Sequence, residues 1–337
     1  MSCCNNPNTR LLMRLIVDIL LLSSVFTVAL IILPQLLRTR HRGFFCGDQS
    51  IAYPFKQETL LKRIHVTILV IAVPAAMVII IEMLRVTFPA PKSSTSTAKM
   101  GHVPKPPQRY VFVGVRIPTF VSECYNLMGV YLFGLALVLI ATSCTKHFAG
   151  RLAPYFMDVC QPLLPANVTA CSDPAHFGRF IEFYTCSSLT ATPQILNSMR
   201  QSFPSAHAAT TAYAMFFLAI YMQVRLKTGW IKLWRCLMQF GAIVIALLVA
   251  LERVGSYRHH WTDVAMGIFI GGLMAFFMTM YVSPLFKQVP VKVRRVRDDA
   301  SNIYGYYTIP SLNYMVIICD YIVMQDGVNS LPSGTLK

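Results

Sequence analysis

WRCLMQFGAIVIALLVAL (Trp234–Leu251), ERVGSYRHH (Glu252–His260) and WTDVAMGIFIGGLMAFFMTMYVS (Trp261–Ser283) follow one another directly in the chain. Each apolar run has the roughly 20 residues that cross about 30 Å of hydrocarbon as a helix. The polar insert between them is too short to be a domain and too charged to be buried in lipid. Two antiparallel membrane helices joined by a reactive hairpin are therefore predicted here. The same reading extends to four more runs, Leu15–Leu37, His65–Leu84, Phe120–Thr142 and Ala206–Val224. The predicted fold is all-α, a bundle of six transmembrane helices. The first run is too long for a cleaved signal peptide and no small-residue cleavage site follows it, so it is read as a retained span.

Composition agrees. The 337 residues are 55% hydrophobic and only 13% charged, about half the charge of a soluble domain. The net charge of +16 sits mostly in short loops, which points to membrane topology rather than to a nucleic-acid partner. Arg85, Lys92, Lys99, Lys105, Arg109 and Arg116 follow span two, Arg225, Lys227, Lys232 and Arg235 follow span four, and Lys287, Lys292, Arg294, Arg295 and Arg297 follow span six. These regions and both termini are expected in the cytoplasm, although the first outer loop is also basic (Arg38, Arg40, Arg42, Lys56, Lys62, Arg63). The domains then read as a cytoplasmic N-terminus over residues 1–14, a membrane domain over 15–283 and a cytoplasmic tail over 284–337. The sequon at Asn167 falls on the opposite face and marks a glycosylation site there.

Cys46, Cys144, Cys160, Cys171 and Cys186 lie in or beside the outer loops, where disulfides can form. Spacing allows Cys171–Cys186 or Cys160–Cys171, and equally allows free thiols. Neither zinc nor another metal is suggested, because no Cys/His spacing fits one, and no cofactor is expected. Cys3 and Cys4 are candidates for palmitoylation. The stretch Pro89–Pro107 reads as a flexible loop. Tyr314–Met324 is apolar but too short to span. Gly267, Gly271 and Gly272 in span six predict close helix packing inside the bundle. Asp18 in span one predicts a structural partner.

Three polar clusters converge on one face by this topology: Lys146 to Pro154, Pro204-Ser205-Ala206-His207, and Arg253 to Asp263. Ser205 is placed to cap a helix, whose first N–H groups attract an anion, and small Ala206 lets a phosphate approach. Lys146 and Arg253 neutralise phosphoryl oxygens. His259 and Asp263, four apart, share one face if helical, so the carboxylate would orient the imidazole as a nucleophile. His207 arrives from another helix as a general acid. Singly, such residues are commonplace at span ends, where Lys and Arg anchor topology and His is interfacial. In this order and at these span ends they specify phosphoryl chemistry at the outer, extracellular or luminal surface.

At these residues the chain resembles the lipid phosphate phosphatases, the integral-membrane animal branch of the type 2 phosphatidic acid phosphatase superfamily. That family's signatures are Lys-x6-Arg-Pro, Pro-Ser-Gly-His and Ser-Arg-x5-His-x3-Asp. Lys146 and Pro154 match the first, Pro204, Ser205 and His207 the second, and Arg253, His259 and Asp263 the third. Gly43 to Cys46 and Tyr53-Pro54 also resemble the first outer loop of animal members. The resemblance implies metal-independent hydrolysis of phosphatidate, lysophosphatidate or sphingosine 1-phosphate type lipids, with His259 as the phosphohistidine, His207 as the acid, and Lys146, Ser205 and Arg253 on the phosphate. It implies a role in phospholipid metabolism and lipid signalling, with the plasma membrane as location. Three positions depart: Ala206 for Gly, Glu252 for Ser, and Ala153 for the signature Arg. Loss of that clamp removes a charge-assisted pair, for which Arg151, Arg258 or His147 is a candidate replacement. The alternative reading is a catalytically impaired relative that binds lipid phosphates or partner proteins. A transporter is disfavoured because the polar clusters sit at span ends rather than mid-membrane. Sequence leaves monomer and homo-oligomer open.

Overall fold

The computed structural model describes residues 7–56, 63–87, 111–112, 115–164, 171, 177–188, 191–226, 232–283 and 285. Asn167, Cys3, Cys4, Pro89–Pro107 and the tail beyond Leu285 lie outside the described residues. Among the described residues the protein is mostly helical, as its apolar runs predict. The long helices are α1 (Pro7–Thr27), α3 (Arg63–Thr87), α4 (Thr119–Ala149), α7 (Ala206–Arg225), α8 (Lys232–Gly255) and α9 (Trp261–Phe277). A π-helical turn, Val28–Ile32, leads α1 into the short α2 (Leu33–Leu36), and another, Met278–Val282, extends α9. The architecture is that of a multi-pass membrane protein.

Five of these helical stretches are long and apolar enough to cross a membrane. The sixth, α7, is richer in polar residues, and its position explains that. It packs against α9, α8, α3 and α4, and Ala208, Ala209, Thr211, Ala212, Tyr213, Phe217 and Tyr221 are all buried. A helix walled in by others does not face lipid, so its polar groups need partners rather than absence. Tyr213 finds one in the Tyr131 carbonyl at 2.8 Å. Tyr131 donates in turn to the carbonyl of Val70. That carbonyl lies four residues before Pro74, whose missing N–H leaves it without its helical donor. At the opposite end of α7, buried Glu82 accepts from the Tyr221 hydroxyl at 2.9 Å and pairs with Arg225 at 3.2 Å. Asp18 has its partner in Tyr125 of α4, 2.6 Å away.

The glycine stripe of α9 packs within the bundle, as predicted. A Cβ at Gly267 would lie 2.5 Å from the Ser205 carbonyl oxygen, and one at Gly271 would collide with that of Ala209. The two backbones meet because nothing larger than hydrogen separates them. This seats the N-terminus of α7 directly against α9.

Sequence reading treated the outer segments as loops. Instead they form a second layer with its own core of Phe44, Ile51, Leu152, Tyr155, Phe156, Tyr184 and Met199, among others. Short antiparallel pairs tie it together: β1 (Phe44–Phe45) with β5 (Phe180–Ile181), and β4 (Pro162–Leu163) with β6 (Thr185–Cys186). A third pair, β2 (Val111–Phe112) with β3 (Val115–Arg116), lies elsewhere, before α4. The short helices α5 (Phe156–Cys160) and α6 (Pro193–Ser198) complete the layer. Disulfides join Cys46 to Cys171 and Cys160 to Cys186. Both pairings named from sequence spacing are therefore corrected. Cys171 is taken by the first outer loop, 125 residues away, a partner that local spacing does not reveal.

Candidate active site

Two helices run further than their apolar runs, and this places the cations. α4 continues past Thr142 to Ala149 and is closed by Gly150 in the left-handed conformation, φ +55°. Gly150 is required twice, because a Cβ there would also collide with the Arg40 carbonyl oxygen. Lys146 thus stands on the last turn of α4 rather than beyond it. α8 continues to Gly255, so Arg253 also stands on a last turn. Cations at helix C-termini are favoured by the helix dipole.

Ser205 is the N-cap of α7, its hydroxyl accepting from the Ala208 N–H at 3.4 Å, with no exposed surface. Ala206 and His207 open the helix. The Ser205 N–H donates to the carbonyl of Asp263 at 3.0 Å, which locks the start of α7 to the start of α9.

The relation between His259 and Asp263 differs from the expectation. α9 starts at Trp261, with His260 as its N-cap. His259 therefore precedes the helix, and the four-residue spacing does not stack the two side chains. The buried Asp263 carboxylate is held by Arg151 Nη1 at 2.5 Å, the Ser202 hydroxyl at 2.5 Å and the His260 N–H at 3.1 Å. His259 Nδ1 instead lies 2.7 Å from the Ser202 carbonyl oxygen and 3.5 Å from the Ser202 hydroxyl. A carbonyl only accepts, so Nδ1 carries the proton and Nε2 keeps its lone pair. Ser202, 1% exposed, is thus the residue that joins carboxylate to imidazole. Sequence reading missed it, since a serine three positions before an N-cap carries no signal of its own.

His259 is half-buried, and desolvation first, then the charges of Lys146 and His207, push its pKa well below 6.5. The imidazole is neutral at neutral pH, and Lys146 and His207 lie close enough to act on it. Arg253 bears on it too, more weakly. The structure thus gathers Lys146, His207, Arg253 and His259, drawn from three separate stretches of chain.

The departures from the signatures have structural meaning. Glu252 lies 2.6 Å from Arg253 Nε, and both side chains are largely buried, so an acid sits on one of the candidate cations. Ala153 is 1% exposed within the outer core, its N–H donating to the Met199 carbonyl at 2.7 Å. Arg151, the first candidate to replace the missing Arg, spends Nη1 on Asp263 and on Thr262 at 2.6 Å. Arg258 lies over the Phe55 ring at 4.5 Å and donates to the Lys56 carbonyl at 2.6 Å. His147 Nδ1 bonds to the Ser143 carbonyl at 2.8 Å.

The model of the PAP2 superfamily matches residues 127–287, which includes all three clusters. The chain is 36% identical over 297 residues to a Drosophila melanogaster protein named "Putative phosphatidate phosphatase", covering 87% of this chain and 75% of that one. It is 32% identical over 286 residues to mouse phospholipid phosphatase 1, covering 83% and 89%. It is 30% identical over 249 residues to human phospholipid phosphatase 2, covering 74% and 76%. No solved structure matches it.

Proposed function

We propose that this chain, which belongs to the PAP2 superfamily and its phospholipid phosphatase branch, hydrolyses lipid phosphates through a phosphohistidine on His259. The observation that carries this is the neutral, half-buried His259 whose Nδ1 is tied to the Ser202 carbonyl, beside Lys146 and His207. Nε2 attacks phosphorus, the bond to the lipid oxygen breaks, and protonated His207 gives its proton to the leaving alkoxide. Water then attacks the phosphohistidine, with His207 taking its proton, to release phosphate and free His259. Lys146, Arg253 and the first N–H groups of α7 at Ala206 hold the phosphoryl oxygens. Asp263 serves as a brace, through Ser202, on the loop that carries His259. Arg151 holds Asp263 rather than phosphate.

The substrates are membrane lipids of the phosphatidate, lysophosphatidate and sphingosine 1-phosphate type. We assign the site to the extracellular or luminal face and both termini to the cytoplasm, with α7 as the sixth span. The two disulfides in the layer over the site support that side, since they persist in oxidising compartments. The plasma membrane and glycosylation at Asn167 belong to the same reading.

Glu252 on Arg253, and Ala153 in place of a clamp, favour a second reading, a relative that binds lipid phosphates with little turnover. Phosphate release from lysophosphatidate and phosphatidate by purified protein with chelator present separates the two. Release that is lost in His259→Ala supports the phosphatase. Its absence in folded protein, restored by Ala153→Arg, supports the binding reading and names the clamp. Release that survives His259→Ala would overturn the proposed site.

A further inference from the structure

The described residues enclose a second recess that none of the catalytic candidates lines. It is an open cavity of about 1120 Å³ in the outer layer. Arg40 and Arg42 of the first outer loop line it, with Phe148 at the end of α4 and Phe180, Phe183 and Tyr184 from around β5. It borders the catalytic centre through the backbone: the Arg40 N–H donates to the His147 carbonyl at 3.1 Å, one residue past Lys146.

Its chemistry is two-sided. Arg40 and Arg42, two residues apart, both line it. Glu182 is the one acid among the lining residues, so the cationic charge is in excess. His41 adds little, because burial and then the charge of Arg200 lower its pKa. Beside the cations, Phe148 is 70% exposed, Phe183 74% and Phe180 50%. Three solvent-facing phenylalanines around two arginines are costly in water unless an apolar partner covers them. In a membrane protein, aromatic side chains at this level lie at the headgroup boundary. A free phosphate has no use for the rings, and a neutral lipid has none for the arginines.

We propose that this recess is a docking subsite for a lipid phosphate, its headgroup on Arg40 and Arg42 and the start of its chain on Phe148 and Phe183, from which substrate passes to the neighbouring catalytic centre. As a route to that centre it rests on the phosphatase reading; as a binding site it does not. The test uses the full chain in neutral mixed micelles and the double variant Arg40→Ala, Arg42→Ala. Its Cβ atoms and the Arg40 backbone bond are retained, and an unchanged melting temperature checks the fold. With long-chain lysophosphatidate the variant is expected to raise KM roughly tenfold or more, as loss of charge-assisted pairs to the headgroup would. Its kcat, and its kcat/KM for a short-chain water-soluble phosphate monoester, should be unchanged. The second arm measures binding of fluorescent lysophosphatidate against fluorescent lysophosphatidylcholine on a His259→Ala background. Selective binding of the phosphate lipid, lost on removal of the two arginines or with Phe148→Ala, Phe183→Ala, supports the subsite even if turnover is absent. Equal loss for both phosphate substrates, unchanged KM, or binding indifferent to the arginines overturns it.

Discussion

In the proposed mechanism His259 is the nucleophile, and its surroundings suit it to that role. Desolvation and two neighbouring cationic groups favour its neutral form, which is the form that attacks phosphorus. The sign follows for pH: a pKa below 6.5 keeps the ring neutral down to pH values where an ordinary histidine is half protonated. Turnover should therefore lose activity on the acid side only well below pH 6.5, measured as kcat/KM against pH. The same shift links to stability, since the unfolded chain binds a proton that the folded ring refuses. That contribution is present above about pH 6.5 and is lost as pH falls below it. Ser202→Ala removes the hydroxyl that joins Asp263 to the His259 loop but keeps the carbonyl. It is expected to lower kcat by about ten- to a hundredfold with KM little changed, as a lost hydrogen bond to a charged group would. Ser202→Thr, which keeps a hydroxyl, should recover most of it. An equal loss in both variants would assign Ser202 to packing alone.

At the scale of the element, the site depends on helix ends brought into register. α7 and α9 meet because Gly267 and Gly271 face the Ser205 and Ala209 carbonyls. Gly271→Leu would drive a side chain into the α7 backbone, and the two N-termini would separate. Loss of folded protein is expected, read as a collapse of the monodisperse peak on size exclusion in detergent. Gly129, with no neighbour within 4 Å of its Cβ position, serves as the control, and Gly129→Ala should be tolerated. The apolar stripe and its glycines were legible in the sequence, and so was their use inside the bundle. The helix ends were not. α4 and α8 extend past their apolar runs because helical hydrogen bonding continues into the outer layer, where hydropathy no longer reports it.

Over the whole molecule, a membrane bundle carries an outer layer that fixes the loops around the site. Cys46–Cys171 and Cys160–Cys186 staple that layer, and the Tyr53 N–H bonds to the Pro154 carbonyl at 3.0 Å. A disulfide that closes a long loop stabilises by about 2–5 kcal/mol. Reduction, or Cys46→Ser with Cys171→Ser, should lower the melting temperature and reduce turnover. Activity that persists unchanged with both bridges open would mean that the bundle alone positions the site.

Length, apolarity and basic loops determined by themselves that this chain is a helical membrane protein, and three polar clusters at span ends pointed to the site proposed for its chemistry. Those signals are local, carried by runs of neighbouring residues. The tertiary structure decided the rest: that Ser202, not Asp263, holds His259; that Arg151 serves Asp263; that Glu252 sits on Arg253; and which cysteines pair. Each of the first, second and last is a contact between residues far apart in the chain, some by more than a hundred positions, and no periodicity encodes it. Glu252 and Arg253 are adjacent, yet whether they pair or face apart depends on how the end of α8 is buried.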